Sequence, residues 1–365
     1  MANQLDWIEV GTRLREARLA AGLSQEQLAA DVGLERTMIV KAEGGVRRLD
    51  ALELSRIAVA LNLPLAHFLL PTPPVLSRRT ALLEDSETDA ARDAYRLDAE
   101  LAAWIRDLEQ LIDVGLLKRE TLLRYPRAVT RAEDARKAAR WLRQQLDVGQ
   151  EPLGPLIQLS ERVGQFLLVA DVPGDGASVV EGDLAAAVVS LRGEPGRRRA
   201  TAAHELGHLV IGDEYSADLG VHASRDEREQ VVDAFAGELL VPSDAVREAV
   251  RDTSSLDGIR ASLVKVAAIY RASWGMVLRQ AVLAEVVDRP QPLASRVPTR
   301  TELMDSVGWT PEPDLSSVRV PPTVATAVMT AFRKGLVTPQ RAEELTRGQI
   351  AAADLTEMTG DDAAP

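Results

Sequence analysis

The stretch Thr201-Ala202-Ala203-His204-Glu205-Leu206-Gly207-His208-Leu209 holds the residues of this chain best suited to chemistry. Read as a helix, it sets His204 and His208 four residues apart, one turn from each other on the same face. Two imidazoles so placed can hold one zinc ion, with Glu205 beside them over a water on the metal's open position. Histidine is scarce, with four in 365 residues, and this stretch uses two of them. The plainer alternative is a core helix with two hydrogen-bonded histidines. The His-Glu-x-x-His spacing in so histidine-poor a chain favours the metal.

A mononuclear site needs a third protein ligand. Ser224 and Glu227 form a Ser-x-x-Glu capping box, so a second helix is expected from there to near Pro242. Val232, Phe235 and Leu239 give that helix a buried stripe. Glu229 and Asp233 share another face, which continues into Ala236 and Leu240. Burying two acids there is costly unless a cation sits opposite. Glu229 is therefore the favoured third ligand, and Asp233 can take the N–H of a ligating histidine. The step from His208 to Glu229 is 229 − 208 = 21 residues, enough for a loop between antiparallel helices. Asp226 and Glu227 are rivals, but they lie in a first turn where acids cap helices anyway.

His204-Glu205-Leu206-Gly207-His208-Leu209, followed by the pattern Glu229-x-x-x-Asp233-x-Phe235-Ala236-x-Glu238-Leu239-Leu240-x-Pro242, resembles the ImmA/IrrE family of gluzincin-type metallopeptidases. The second helix of that family usually reads Glu-x-x-Ala-Asn-x-Phe-Ala, which maps Glu229 onto the ligand and Phe235-Ala236 onto the Phe-Ala pair. Val232 and Asp233 depart from that pattern, and an Asp in the supporting place suits gluzincins generally. Residues 164–169 and 184–191 fit the family's short strands, and 193–199 fit the turn and basic run entering the active helix. The resemblance covers about residues 128–285. It implies one Zn2+ per chain and a selective endopeptidase that cuts a partner repressor, switching genes on after stress or mobile-element cues. Zinc peptidases usually add a second electrophile for the developing oxyanion. Tyr215 and His222, in the loop between the zinc helices, are candidates, with Tyr270 and Arg271 behind them.

The first seventy or so residues read as a separate helical unit. A helix over Val10–Ala21 ends at Gly22, Ser24 caps the next, and Gly33 permits a tight turn into a third containing Met38, Ile39 and Ala42. Gln25, Glu26, Leu28, Ala29 and Gly33 give this stretch a resemblance to the Cro/repressor-like (XRE) helix-turn-helix family. Such a unit lays its second helix in the major groove. Arg36, Thr37 and Lys41 would then face DNA bases, while Gln25, Arg47 and Arg48 contact phosphates. Double-stranded DNA would bind through residues 8–70. Against this, Met1–Pro71 carries eight Lys/Arg and nine Asp/Glu, a net of −1, and Glu35 would repel phosphate. A protein-docking or dimerising module is the alternative.

The expected fold class is mainly α with a small β-sheet (α+β), an all-α helix-turn-helix domain followed by a gluzincin-like metallopeptidase domain. The boundaries are 1–71 for the helix-turn-helix and 72–126 for a linker, stiffened by Pro71-Thr72-Pro73-Pro74, plus connector helices. Residues 127–288 form the peptidase domain. Residues 289–365 form a Pro-rich segment with short helices and a disordered tail. Periodic Leu97, Leu101, Trp104, Leu108 and Leu111 predict a packing or dimerisation helix over 85–117, which leaves room for a homodimer. Residues 289–320 read as extended, 323–334 and 339–345 as helices, and 358–365 as disordered. No cysteine, no apolar run of membrane-spanning length and no basic leader point to the cytoplasm. A net charge of −12 excludes nonspecific polyanion binding by the whole molecule but not one DNA-binding face. Two functions stay open: a zinc endopeptidase with its own DNA-binding domain, or a regulator whose peptidase-like domain only binds a partner.

Overall fold

The computed structural model describes residues 6–70, 77–78, 89–212, 225–253 and 255–361. Five helices come first: α1 (Trp7–Ala20), α2 (Gln25–Val32), α3 (Arg36–Glu43), α4 (Ala51–Ala60) and α5 (Leu65–Leu69). The strands are β1 (Ser77–Arg78), β2 (Gln165–Ala170), β3 (Gly176–Glu181) and β4 (Leu184–Ser190). Between β1 and β2 lie α6 (Asp89–Asp113), α7 (Ala132–Gln145) and α8 (Leu156–Val163). After β4 follow α9 (Pro195–Ile211), α10 (Arg225–Leu240), α11 (Ser243–Ala249), α12 (Leu256–Tyr270) and α13 (Trp274–Leu283). The chain closes with α14 (Gln291–Ala294), α15 (Arg300–Val307), α16 (Pro322–Arg333), α17 (Pro339–Leu345) and α18 (Ala352–Asp361).

The N-terminal helices are cut by their own punctuation. Ser24 and Gln27 close a full capping box on α2, and Gly33 ends that helix at φ 68°, a left-handed conformation that a side chain would strain. Leu14, Leu28, Ile39, Ile57 and Phe68 fill the centre of this unit. A buried ion pair between Arg18 and Glu43, with Nε–Oε1 at 2.6 Å, locks α1 to α3.

The sheet runs in the order β1-β3-β4-β2, with β2–β4 parallel and the other two pairings antiparallel. All seven residues of β4 are buried, because both faces of the sheet are covered. Alternate residues divide between two cores. Leu167, Val169, Ala185, Ala187 and Val189 face α7, α8, α9 and α10. Phe166, Leu168, Ala177, Val179, Ala186 and Val188 face α6 and α16–α18. The helix expected over 85–117 is thus a packing helix on the sheet. Its Trp104 donates Nε1–H to Phe166 O at 3.0 Å. Its other end meets the helix-turn-helix unit, where His67 Nε2 lies 2.6 Å from the Tyr95 hydroxyl.

The segment after residue 289 differs from its extended reading. It forms α14 and α15, and at α15 Thr299 and Glu302 make a capping box that overrides the local proline content. It is also anchored: Asp314 pairs with the buried Arg199 of α9, and Arg319 bridges Val169 of β2. The tail expected from Met358 on is helical as far as Asp361, and residues 362–365 lie outside the described residues. The Pro71–Pro74 linker, Tyr215, His222 and Ser224 also lie outside them.

Candidate metal centre

Helix α9 is the central element of the molecule. Pro195 sits in its first turn, Gly212 ends it in the left-handed conformation, and every residue from Arg198 to Val210 is buried. A helix buried all round can present polar residues only where something meets them. Gly207 sets the approach of the neighbouring helix. A Cβ there would stand 2.9 Å from both Val232 Cγ1 and Phe235 Cδ1, so only glycine lets α10 come this close. α10 is held from behind as well. Arg143 of α7 donates to Leu239 O, and buried Glu238 accepts from Arg140 Nη1 at 3.0 Å and from Ser243 N at 3.3 Å.

This packing brings His204, His208 and Glu229 together, with their ligand atoms all within 4.8 Å of one another. His204 Nε2 lies 3.1 Å from His208 Nε2 and 2.9 Å from Glu229 Oε2. Ligands at zinc bond lengths around a tetrahedral ion sit about 3.3 Å apart, so these gaps are near those a shared ion needs. His204 Nδ1 lies 2.9 Å from Asp233 Oδ1, the partnership that would point its Nε2 lone pair at a metal. Glu227 is exposed, and Asp226 lies outside the described side chains. Two histidines and a carboxylate, with a second carboxylate behind one histidine, fit zinc.

Glu205 is fully buried. Its Oε2 accepts from Ser178 Oγ at 2.7 Å, while Oε1 has no hydrogen-bond partner among the described residues. A buried carboxylate oxygen left without a donor is costly unless a water or substrate proton meets it. Sequence reasoning missed β3 and with it Ser178. The signal was Glu181-Gly182-Asp183-Leu184, a two-residue turn with Gly182 at φ 62° joining β3 to β4. Gly176 of the same strand lies against the helix, where a Cβ would meet Thr201 Cγ2 at 2.5 Å. Among the described residues no second electrophile is brought to this cluster, and Tyr215 and His222 lie outside them. Tyr270 donates to Gln150 O at 2.8 Å and Arg271 to Leu153 O, both on the outer loop. Deeper in the helix, burial lowers the Arg199 pKa to about 10 despite its pairing with Asp314.

In the N-terminal unit, Arg36, Thr37 and Lys41 are exposed on α3, as is Arg48 beyond it. Two of the phosphate candidates are engaged within the fold. Gln25 Nε2 donates to Glu43 Oε2 at 2.8 Å, and Arg47 grips both oxygens of Glu53 at 2.9 and 2.6 Å. That grip holds the Glu53 carboxyl below its usual range.

Two family models match the chain: the helix-turn-helix family over residues 14–68 and the IrrE N-terminal-like domain over residues 188–281. The second spans β4, α9, α10 and the helices through α13. An uncharacterized HTH-type transcriptional regulator of Sinorhizobium medicae (strain WSM419) is 38% identical over 71 residues, 20% of this chain and 50% of that one. One of Mycobacterium tuberculosis (strain CDC 1551 / Oshkosh) is 33% identical over 104 residues, 28% of this chain and 67% of that one. The chain thus spans about half the length of the first of these relatives. Bacillus thuringiensis PlcR, solved with the peptide PapR7 and DNA, is 10% identical with a TM-score of 0.18, covering 98% of this chain and 97% of that one. No described helix is long and apolar enough to cross a membrane.

Proposed function

The chain joins a helix-turn-helix domain to an IrrE/ImmA-like peptidase domain, and from that pairing we propose a zinc-dependent endopeptidase that cleaves a partner transcriptional repressor and carries its own DNA-binding domain. The observation that supports this most directly is the convergence of buried His204 and His208 with half-buried Glu229 beside the buried Glu205. A pure docking domain has no use for a buried carboxylate poised next to three convergent ligands.

His204, His208 and Glu229 would hold the ion, and Asp233 would fix the His204 tautomer. When bound, zinc supplies a Lewis acid for the scissile carbonyl and an acidified water. Ser178 pins Glu205 Oε2, which leaves Oε1 to take the proton of the attacking water and hand it to the leaving amine. The exposed Arg36, Thr37 and Lys41 would read DNA through α3, with Arg48 on the backbone. Stress or mobile-element cues would then act through loss of the cleaved repressor. Residues 1–71 and 127–288 are the proposed DNA-binding and peptidase domains.

Metal analysis of the purified chain tests the reading, followed by incubation with candidate repressor substrates. One zinc per chain is expected, lost in His204→Ala/His208→Ala, because the remaining protein ligands are too few for a tight site. Glu205→Gln should keep the metal and lose cleavage by about 10²–10⁴-fold. Full zinc occupancy in the double variant would overturn the site. The relatives' description as transcriptional regulators favours a second reading, a DNA-binding regulator whose peptidase-like domain only docks a partner. A zinc-loaded chain that binds the repressor without cutting it would support that reading.

A further inference from the structure

The outer edge of β3 is paired at Ala177 and Ser178. β3 is the strand whose Ser178 hydroxyl holds Glu205, and its outer edge would otherwise present unpaired backbone N–H and C=O groups. The chain itself pairs with part of it: β1 lies antiparallel on β3, with Ser77 opposite Ser178 and Arg78 opposite Ala177. Directly paired residues in such a ladder lie about 5 Å apart, so Ser77 sits one strand away from the residue that positions the catalytic carboxylate. An extended peptide adding to a free edge by main-chain hydrogen bonds would take the same place.

We infer that Ser77–Arg78 is a built-in competitor for an extended polypeptide at the β3 edge, so that substrate reaches Glu205 only when this strand is displaced. The inference rests on the peptidase reading and gives it a regulation. Two features support it. The pairing is at the strand whose Ser178 hydroxyl holds the Glu205 carboxylate. It is main-chain pairing in an antiparallel ladder, the kind an extended peptide added to that edge can itself make. The competing strand also follows directly on the helix-turn-helix unit in sequence, so whatever that unit binds acts on a chain tethered to the sheet edge.

The test uses the full chain with Ser77→Pro/Arg78→Pro, since proline removes the N–H groups and the ladder cannot re-form there. The milder Ser77→Gly/Arg78→Gly keeps the N–H groups and serves as the graded control. All variants carry Glu205→Gln, so nothing depends on turnover. Two readouts are taken with and without zinc: amide exchange at Ala177–Val179, and fluorescence anisotropy of a labelled synthetic peptide spanning residues 72–84. In the proline variant, exchange should rise at least about 10-fold and the peptide should bind at least about 10-fold more tightly than to the parent, with the glycine variant between. Unchanged exchange, equal peptide binding to all forms, or binding to none would overturn the inference. Cleavage is then read with Glu205 restored. Displaceable β1 in a chain that holds no zinc and cuts nothing would sink the peptidase reading alone. A zinc-loaded peptidase whose β3 edge behaves identically in every variant would sink the competitor alone.

Discussion

Replacing Gly207 by Ala separates two opposed effects. Alanine is the better helix former by about 1 kcal/mol, so propensity alone predicts a gain in stability. The added Cβ, however, would stand 2.9 Å from Val232 Cγ1 and from Phe235 Cδ1. Carbon atoms rest at about 3.5–4.0 Å, so α9 and α10 must separate by roughly 0.6–1 Å. Overpacking of this kind costs about 1–3 kcal/mol, leaving a net loss of about 0–2 kcal/mol once propensity is credited. The larger effect falls on the metal. Ligand distances tolerate only about 0.2 Å, and the shift moves Glu229 away from both histidines, so zinc affinity should drop at least about 10-fold. Competition against a chromophoric chelator reads the affinity, and thermal melting of the metal-free chain reads the fold. Adding Val232→Ala removes one of the two clashes and should recover part of the affinity. If Gly207→Ala melted higher and held zinc as tightly as the parent, the close approach would not be what brings Glu229 to the histidines.

Asp233→Asn keeps an acceptor for His204 Nδ1 but loses the charge, whereas Asp233→Ala loses both; zinc affinity should fall about 10–100-fold in the alanine variant and less in the asparagine one, by the same chelator assay. His67 has its pKa lowered to about 4, first by burial and then by Arg106 and Arg13, so it is neutral in the fold. Stability from this group is complete above pH 6.5 and is lost as pH falls towards 4, by at most about 3 kcal/mol; urea unfolding of the parent minus His67→Gln should show that slope, and identical pH profiles would refute it. Arg47→Ala should lower the melting temperature, because it strips Glu53 of its guanidinium, whereas Arg48→Ala should leave the melt alone and reduce the salt slope of DNA binding by about 1.

The two helices that carry His204, His208 and Glu229 were legible because a metal-ligand pattern was read from their spacing. One turn separates the two histidines, and a shared face carries the acids of the next helix. Periodicity likewise found the helix covering the far side of the sheet, and the family resemblance implied both strands of the parallel pair. What stayed hidden is what sequence spacing does not encode. Ser178 is 27 residues from Glu205 and sits on a six-residue strand that mixes Gly, Ser and Val. The Arg199–Asp314 pair spans 115 residues, and its acid lies in a segment whose prolines argued for open chain. Composition misled there because a cap and a tertiary ion pair outweigh weak local preference. In the N-terminal unit, residue type suggested phosphate contacts for Gln25 and Arg47. Folding instead supplied each with a nearer acid, which the charge balance of that unit made available.

α6 links the two halves, and this bears on how far they can be taken apart. Near its N-terminus, Tyr95 packs under the helix-turn-helix core and meets His67. From Leu97 to Leu111 the same helix is buried against the sheet and the C-terminal helices. There Arg347 pairs with Glu100 and Asp107 and lies 5.4 Å above the Trp104 ring. Removing residues 1–75 therefore exposes Tyr95 but leaves the larger apolar face of α6 covered. The truncated chain should fold, keep its zinc affinity within about two-fold and melt somewhat lower, since surface lost around one aromatic side chain is small beside that whole core. It also retains Ser77 and Arg78, so amide exchange at β3 should stay close to that of the full chain. Loss of zinc or aggregation on truncation would mean that α6 depends on the helix-turn-helix unit for its place on the sheet. The two halves would then be one folding unit and not two joined ones.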